Sequence, residues 1–447
     1  MRHIARIATM LSFAIAAALA PLAASSQAAA PVATSAQMKH TAWSKSANIY
    51  EVNIRQYTKE GTLNAFAAHL PRLKKMGVDI LWIMPVQPIG EQNRKGTLGS
   101  YYAVRDYTAV NPEFGTLDDF KRLVAQAHGL GMHVILDWVA NHTAFDNPWT
   151  REHSDWYLKN EKGEIFPVTY TEGAEPEYWT DVTGLDWKQP GLWKGMTDAM
   201  VFWVREAGID GFRADVAGKV PTPFWNQVRV ELEKIKPVFM LAEASQLDHH
   251  QQAFDMSYGW DTLQLFKDVA KGKADARALR KFVTAPPQQF PGDAYRMRFT
   301  SNHDVNSWHG HDGELYGKAH RAMAVISATL PGMPLIYGGQ ESRLAKRLEF
   351  FEKDPVQWNK YEEAPFYARL LKLKHDNPAL WNGQYGGAVQ VQDTGNDKVF
   401  AFRRVKDGNV VSVAVNVSGA RQSYSLPGSK KGYSLAAWDY KIDAVGK

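Results

Sequence analysis

Four apolar segments of the chain each end in an acidic residue. The four carboxylates are Asp137, Asp215, Glu243 and Asp304. One acidic residue at the end of an apolar segment is more often a turn former or a helix cap. Four such positions make a chemical role more plausible, since two carboxylates that flank a glycosidic bond, one ionised and one protonated, are the groups that hydrolyse it.

The neighbours of these residues predict which carboxylate is ionised. Arg213 stands two residues before Asp215, so both side chains share one face of a strand, and we expect the guanidinium to keep Asp215 ionised, as a nucleophile requires. Glu243 follows an apolar run without an adjacent cation, so we expect it to keep its proton and act as a general acid. Asp304 follows His303 and could stabilise positive charge or bind two sugar hydroxyls. A structural ion pair and a hydrogen-bonded wall residue remain the alternatives for Arg213 and His303.

Such residues act together only if the fold brings the ends of the strands together. Apolar segments of strand length alternate with helical patterns, which predicts an α/β fold, a (β/α)8 TIM barrel in which the carboxyl ends of all strands face one mouth. Helical spacing from Leu63 to Met76 ends at Gly77, and Thr116 with Asp119 predicts a capped helix start. The eight predicted strands cover residues 49–54, 78–84, 133–137, 209–213, 238–242, 253–258, 297–301 and 334–337.

Two stretches depart from this alternation. The segment from Trp138 to Gly208 is much longer than one crossover helix needs, so we expect an inserted subdomain at about 142–189, after the third strand. Beyond about residue 383 the pattern becomes that of short strands separated by turn residues, which predicts a C-terminal antiparallel β domain over 383–447. The catalytic barrel would then cover 29–382.

Composition excludes several classes of protein. The 447 residues are 45% hydrophobic and include no Cys, which argues against a disordered or a disulfide-stapled chain. The formal net charge is +5, but basic and acidic residues are interspersed, and no basic stripe or glycine-rich phosphate loop is present. Nucleic acid is therefore not an expected partner.

The first 28 residues have the pattern of a secretory signal peptide. A basic start is followed by an apolar run over 7–22, and Ala28 closes an A-x-A-like site with small neighbours. We expect cleavage after Ala28 and export to the periplasm or the extracellular space, with no membrane association of the mature protein. An uncleaved anchor is the alternative, but the run is short and contains Pro21.

Four motifs resemble the signature regions of the alpha-amylase family of glycoside hydrolases, in the same order and at the predicted strand ends. They are DWVANH at 137–142, GFRAD at 211–215, LAE at 241–243 and FTSNHD at 299–304. The looser second-strand and tyrosine-loop motifs resemble residues 77–86 and 101–116. The resemblance extends from about Ile49 to the C-terminus.

The resemblance implies a role for each matching residue. Asp215 would be the nucleophile, Glu243 the acid/base and Asp304 the stabiliser of the transition state. Tyr102 would stack beneath the sugar in the cleavage subsite, although a packed loop aromatic is the alternative. Other tryptophans, such as Trp308, could line outer subsites, but core or loop packing is the favoured explanation for any one of them. The residues implied to bind the sugar are Tyr102, His142, Arg213 and His303.

The resemblance is incomplete at the calcium site that many family members have. Asn141 is present, but Gly184 stands where an acidic ligand is expected, and Gly218 and Lys219 replace a Lys-His pair. A hard cation prefers six to eight oxygen ligands. We assign no metal residues, and calcium stays an open cofactor with an incomplete ligand set.

These observations predict a retaining alpha-glucan hydrolase, cleaving alpha-1,4 bonds of starch or maltooligosaccharides by double displacement. An alpha-glucan transglycosylase of the same family is the nearest alternative, because the leaving-group side differs at Gly218 and Lys219. A non-catalytic sugar-binding protein is a weaker alternative, since binding alone would not need all three carboxylates. Oligomeric state is left open.

Overall fold

A computed structural model describes residues 39–170, 177–286 and 288–446. The expected signal peptide lies outside these ranges. Across the residues that the structure describes, no helix has both the length and the hydropathy that a bilayer crossing would need. The strands are β1 Ile49–Val52, β2 Ile80–Ile83, β3 His133–Val139, β4 His142–Ala144, β5 Pro167–Tyr170, β6 Glu177–Gly184, β7 Gly211–Asp215, β8 Phe239–Ala242, β9 Met256–Tyr258, β10 Tyr295–Arg298, β11 Met333–Tyr337, β12 Val389–Gln392, β13 Val399–Lys406, β14 Asn409–Asn416, β15 Gln422–Tyr424, β16 Tyr433–Leu435 and β17 Tyr440–Val445.

Eight parallel strands form a closed barrel, as the alternating pattern predicts. Around the barrel the order is β1, β2, β3, β7, β8, β9, β10 and β11, and β11 pairs with β1. Ile49 of β1 lies opposite both Ile80 and Leu335, which closes the ring. Each of the eight predicted segments contains, or overlaps, one barrel strand.

Helices lie between the barrel strands. They are α1 Ile54–Tyr57, α2 Leu63–Ala67, α3 Leu70–Met76, α4 Leu117–Gly129, α5 Trp149–Glu152, α6 Pro190–Glu206, α7 Thr222–Glu233, α8 His249–Gln252, α9 Trp260–Ala270, α10 Ala276–Thr284, α11 Asp312–Leu315, α12 His320–Thr329 and α13 Ala364–Asp376. Residues Val305–His309, next to Asp304, form a π-helical turn.

The predicted helix from Leu63 to Met76 is in fact two helices, α2 and α3. Pro71 lies in the first turn of α3, and a proline there has no backbone N–H to donate and would clash with the carbonyl four residues earlier in a continuous helix. The predicted start of α4 is confirmed, because Thr116 and Asp119 form a reciprocal capping box. The periodicity of the sequence therefore predicts the helical segment, and Pro71 explains why this segment divides into two helices.

The insertion after the third barrel strand is a small antiparallel sheet of β4, β6 and β5. It rests on the barrel through Trp156, whose indole lies against Gly191 and Gly195 of α6. A Cβ atom built on either glycine would lie only 2.8 or 2.7 Å from the ring. These glycines thus let the insertion approach the barrel closely and fix the loops above the mouth.

An antiparallel sheet of β12, β13, β14 and β17 follows the barrel. Its buried Arg404 donates hydrogen bonds to three backbone carbonyls, those of Thr329 at the end of α12, Trp381 and Gly387. Burial lowers the pKa of Arg404 to about 9. This one side chain ties the C-terminal sheet to a barrel helix.

Candidate active site

Three carboxylates meet at one guanidinium at the mouth of the barrel. Nη1 of Arg213 lies 2.8 Å from Oδ1 of Asp137 and 2.9 Å from Oδ1 of Asp215, and Nη2 lies 2.8 Å from Oε2 of Glu243. Strand β7 carries Arg213 and Asp215 on one face, and its neighbours β3 and β8 supply Asp137 and Glu243 near their ends. The barrel topology therefore brings together residues that are far apart in the chain.

The expectation that Glu243 has no cation beside it is wrong. Arg213 contacts Glu243 as closely as it contacts Asp215, because parallel strands pair across the barrel while the expectation considered neighbours along the chain. The backbone N–H of Val216 also donates to Oε2 of Glu243, at 2.9 Å. Val216 itself has left-handed backbone angles, with φ 39°, which are rare for a β-branched residue.

Two of the three carboxylates on this guanidinium, those of Asp215 and Glu243, are harder to ionise than usual. Burial is the main cause of a pKa for Asp215 well above its ordinary value, and the charges of Glu243 and Asp137 add to it, while Arg213 opposes the shift. Burial also raises the pKa of Glu243, with Arg213 again opposing. The expectation that Arg213 holds the pKa of Asp215 low is therefore wrong for the free site. Two neighbouring carboxyls whose charged forms repel each other lose their protons as a pair.

A second chain of contacts links Asp137 to Asp304. The hydroxyl of Tyr102 donates to Oδ2 of Asp137 at 3.0 Å and lies 2.8 Å from Nε2 of His303. The same nitrogen lies 3.2 Å from Oδ2 of Asp304, and Nδ1 of His303 lies 2.5 Å from Oε1 of Glu51. Burial disfavours the imidazolium, but Asp304 and Glu51 outweigh burial and raise the pKa of His303 to about 9.

His142 lies beside this network. It is buried at the start of β4, and the backbone of Tyr102 accepts a hydrogen bond from its side chain. Burial lowers its pKa to about 4, so the ring is neutral near pH 7. The indole of Trp179, on β6 of the insertion, meets it edge to face at 5.5 Å.

The structure therefore gathers Asp215, Glu243 and Asp304 with the four predicted sugar-binding residues at one mouth. Sequence reasoning missed Glu51, which is fully buried in β1. A charged residue within the apolar run of a predicted strand was the available signal. It also missed Tyr258, whose hydroxyl accepts a hydrogen bond from Nε of Arg213 at 3.0 Å.

The residues at the expected calcium position do not form a suitable ligand set. Nδ2 of Asn141 lies 3.2 Å from Nδ1 of His142, and the carbonyl of Gly218 accepts a hydrogen bond from Gln246. Gly184 has no side-chain oxygen to offer. Within the described ranges, no group of three or more acidic or histidine side chains is placed to hold a metal ion.

Comparison with known proteins identifies relatives of this chain. The family model "Alpha amylase, catalytic domain" matches residues 37–381. An alpha-amylase of Haloarcula japonica is 27% identical, over 90% of this chain and 59% of the relative. An alpha-1,4-glucan:maltose-1-phosphate maltosyltransferase of Rhodospirillum rubrum is 29% identical, over 82% of this chain and 56% of the relative. The chain thus spans less than two thirds of the length of these curated relatives.

Solved structures resemble the chain over a larger share of their length. An alpha-amylase from Lactobacillus plantarum is 28% identical with a TM-score of 0.80, and the match covers 90% of this chain and all of that protein. A maltogenic alpha-amylase from Thermotoga neapolitana is also 28% identical, with a TM-score of 0.77, and the match covers 90% of this chain and 96% of that one.

Proposed function

Because the chain belongs to the alpha-amylase family of glycoside hydrolases, we propose that it is a retaining alpha-glucan hydrolase that cleaves alpha-1,4 bonds of starch or maltooligosaccharides. One observation carries the proposal above all. Arg213 contacts both Asp215 and Glu243, which supports a nucleophile and an acid that act on the same bond. Double displacement needs two carboxyl groups placed in this way.

In the first step, the carboxylate of Asp215 attacks the anomeric carbon while Glu243 gives its proton to the leaving glycosidic oxygen. The bond between that carbon and oxygen breaks, and a covalent glycosyl-enzyme forms. In the second step, Glu243 takes a proton from water, the water oxygen bonds to the anomeric carbon, and Asp215 is released. Two inversions at one carbon leave the product in the alpha configuration.

The electrostatics of the site suit these two reaction steps. The productive state has Asp215 ionised and the proton on Glu243. The acidic surroundings, including Asp304, favour a transition state in which the sugar becomes positively charged. We propose that the aromatic ring of Tyr102 meets the apolar face of the sugar. The cationic His303 contacts the carboxylates of Glu51 and Asp304.

A transglycosylase of the same family is the second candidate, and the similarity to maltosyltransferases favours it. The covalent intermediate would be the same, but a sugar hydroxyl would replace water in the second step. The altered positions Gly218 and Lys219 lie after the nucleophile strand, near Glu243, where the leaving group departs and an acceptor arrives.

Incubation with soluble starch and with maltohexaose tests both candidates. Chromatography of the products and proton NMR of the first sugar released are the measurements. Shorter alpha-configured products are expected. Beta-configured product would contradict double displacement, and products longer than the added oligosaccharide would favour transfer over hydrolysis.

Export is a separate part of the proposal and rests on the N-terminal pattern that ends at Ala28. The test is the N-terminal sequence of the protein recovered outside the cytoplasm. A first residue at position 29 is expected, and a protein that keeps Met1 and stays with the cells would contradict export.

A further inference from the structure

An exposed tryptophan at the mouth of the barrel packs against Phe350 and Phe351 but keeps about half of its surface open to solvent. Trp308 is 51% exposed, although its turn begins directly after Asp304. We propose that Trp308 and Phe350, together called the outer platform, bind the glucan chain on the donor side of the cleaved bond and so determine the preferred substrate length. The inference rests on the proposed function and deepens it.

The outer platform continues the aromatic surface of the catalytic centre. Tyr102 and Phe350 are nearly parallel, with an angle of 15° between their planes and 6.2 Å between their centroids. The centroid of Trp308 lies 5.2 Å from that of Phe350. The outer platform thus extends the aromatic cluster around Tyr102 outward to Trp308. An exposed aromatic face such as that of Trp308 suits the apolar face of a pyranose.

The space beside the outer platform has the lining that a sugar requires. A hollow of about 310 Å³ is bounded by the two rings together with Ser307, Arg347 and Glu349. Carbohydrates combine apolar ring faces with hydroxyls at the edge, and here aromatic faces stand next to a hydroxyl, a cation and a carboxylate. Binding sites for small polar ligands typically combine apolar walls with a few polar groups in this way.

The neighbours of the outer platform indicate that it lies on the donor side of the cleaved bond. The leaving group departs past the acid, Glu243, whose hydrogen-bonding neighbour is Val216 on the loop after β7. The platform instead adjoins Tyr102 and the turn that follows Asp304. Sugar units that lie over it therefore belong to the part of the chain that stays attached to the nucleophile.

Hydrogen bonds connect the two segments that carry the residues of the outer platform. The side chain of Asn306 donates to the carbonyl of Lys346 and accepts from the N–H of Leu348. The hydroxyl of Ser307 donates to the carbonyl of Leu348. Gln56, in α1, donates to the carbonyl of Glu349. A surface that is ordered in advance loses less conformational entropy when ligand binds, which strengthens binding.

Chain-length dependence of cleavage is the test. The value of kcat/KM is measured for maltotriose and for maltohexaose with wild type, Trp308→Ala, Phe350→Ala, Trp308→Phe and Tyr433→Ala. We expect the ratio of the two values to fall about tenfold in each platform-to-alanine variant, which corresponds to about 1.4 kcal/mol. Trp308→Phe keeps an aromatic face and is expected to keep most of the ratio. Tyr433, in β16 of the C-terminal hairpin, is the remote control and should leave it unchanged.

Each outcome decides for or against the proposal. An unchanged ratio in Trp308→Ala and Phe350→Ala, with both oligosaccharides still cleaved, would overturn the outer platform and leave the proposed function standing. Equal losses on both oligosaccharides would indicate a structural role and would also overturn it. A wild-type protein that cleaves no alpha-glucan would refute the proposed function, and the platform with it.

Discussion

The imidazole of His303 and the carboxylate of Glu51 are in contact inside the barrel, with 2.5 Å between Nδ1 and Oε1. Both residues are almost completely buried. Glu51 is in the first barrel strand and His303 follows the seventh, yet their contact helps to fix the charge of the ring that adjoins Tyr102 and Asp304. Glu51 is therefore a positioning residue for the site.

Glu51→Gln should lower the pKa of His303. The carboxylate of Glu51, after that of Asp304, raises this pKa to about 9, so the loss of one negative charge moves the pKa down towards the ordinary value. The pKa of His303, measured by NMR titration of its ring, is then expected to fall by about one unit or more. Glu341→Gln removes another fully buried carboxylate, which binds Tyr50 and Arg72 instead, and should leave the pKa of His303 in place. The same His303 pKa in wild type and in Glu51→Gln would contradict the assignment.

Asp215→Asn should abolish turnover while the protein stays folded. The amide has almost the same shape but is not a nucleophile, so kcat on starch is expected to fall by about four orders of magnitude or more. Asp210 precedes the same strand at its other end and binds His128 and Lys236. Asp210→Asn should instead cost about 1–3 kcal/mol of stability with turnover nearly retained. Normal starch cleavage by Asp215→Asn would refute the nucleophile assignment.

The loss of activity in Glu243→Gln should depend on the leaving group of the substrate. Starch needs a proton on the departing oxygen, so its cleavage is expected to slow by about 10²–10⁴-fold. Maltosyl fluoride releases an anion that needs little acid assistance, so the burst of fluoride release should be much less affected. Asp215→Asn is the comparison, because it should lose activity on both substrates. Equal losses on starch and on the fluoride in Glu243→Gln would argue against the role of acid.

Arg404→Met should loosen the attachment of the C-terminal sheet. Three carbonyls would lose a donor, at about 1 kcal/mol for each bond, so the free energy of unfolding is expected to fall by about 3 kcal/mol in urea titrations. Its exposed neighbour Arg403 donates a hydrogen bond to the side chain of Gln390 on the adjacent strand β12, and Arg403→Met should change stability by less than about 0.5 kcal/mol. Equal effects of the two substitutions would contradict the role given to Arg404.

Much of this architecture could be predicted because its signals are local. Alternation of apolar segments locates the barrel strands, and the spacing of Arg213 and Asp215 places them on one face. The contact between Arg213 and Glu243 could not be predicted in the same way, since it depends on which strands are neighbours and on their register. Burial is likewise a property of the assembled fold, which is why the raised pKa of Asp215 contradicts a prediction made from sequence neighbours alone.

The left-handed backbone conformation of Val216 affects how this protein can be engineered. A β-branched residue with left-handed backbone angles costs of order 1–3 kcal/mol, and here its N–H holds the carboxylate of Glu243. Screening for heat resistance alone is therefore expected to enrich glycine or asparagine at position 216, since both tolerate these angles. Variants recovered in this way should be assayed for turnover first, because a more relaxed loop would hold the acid less firmly.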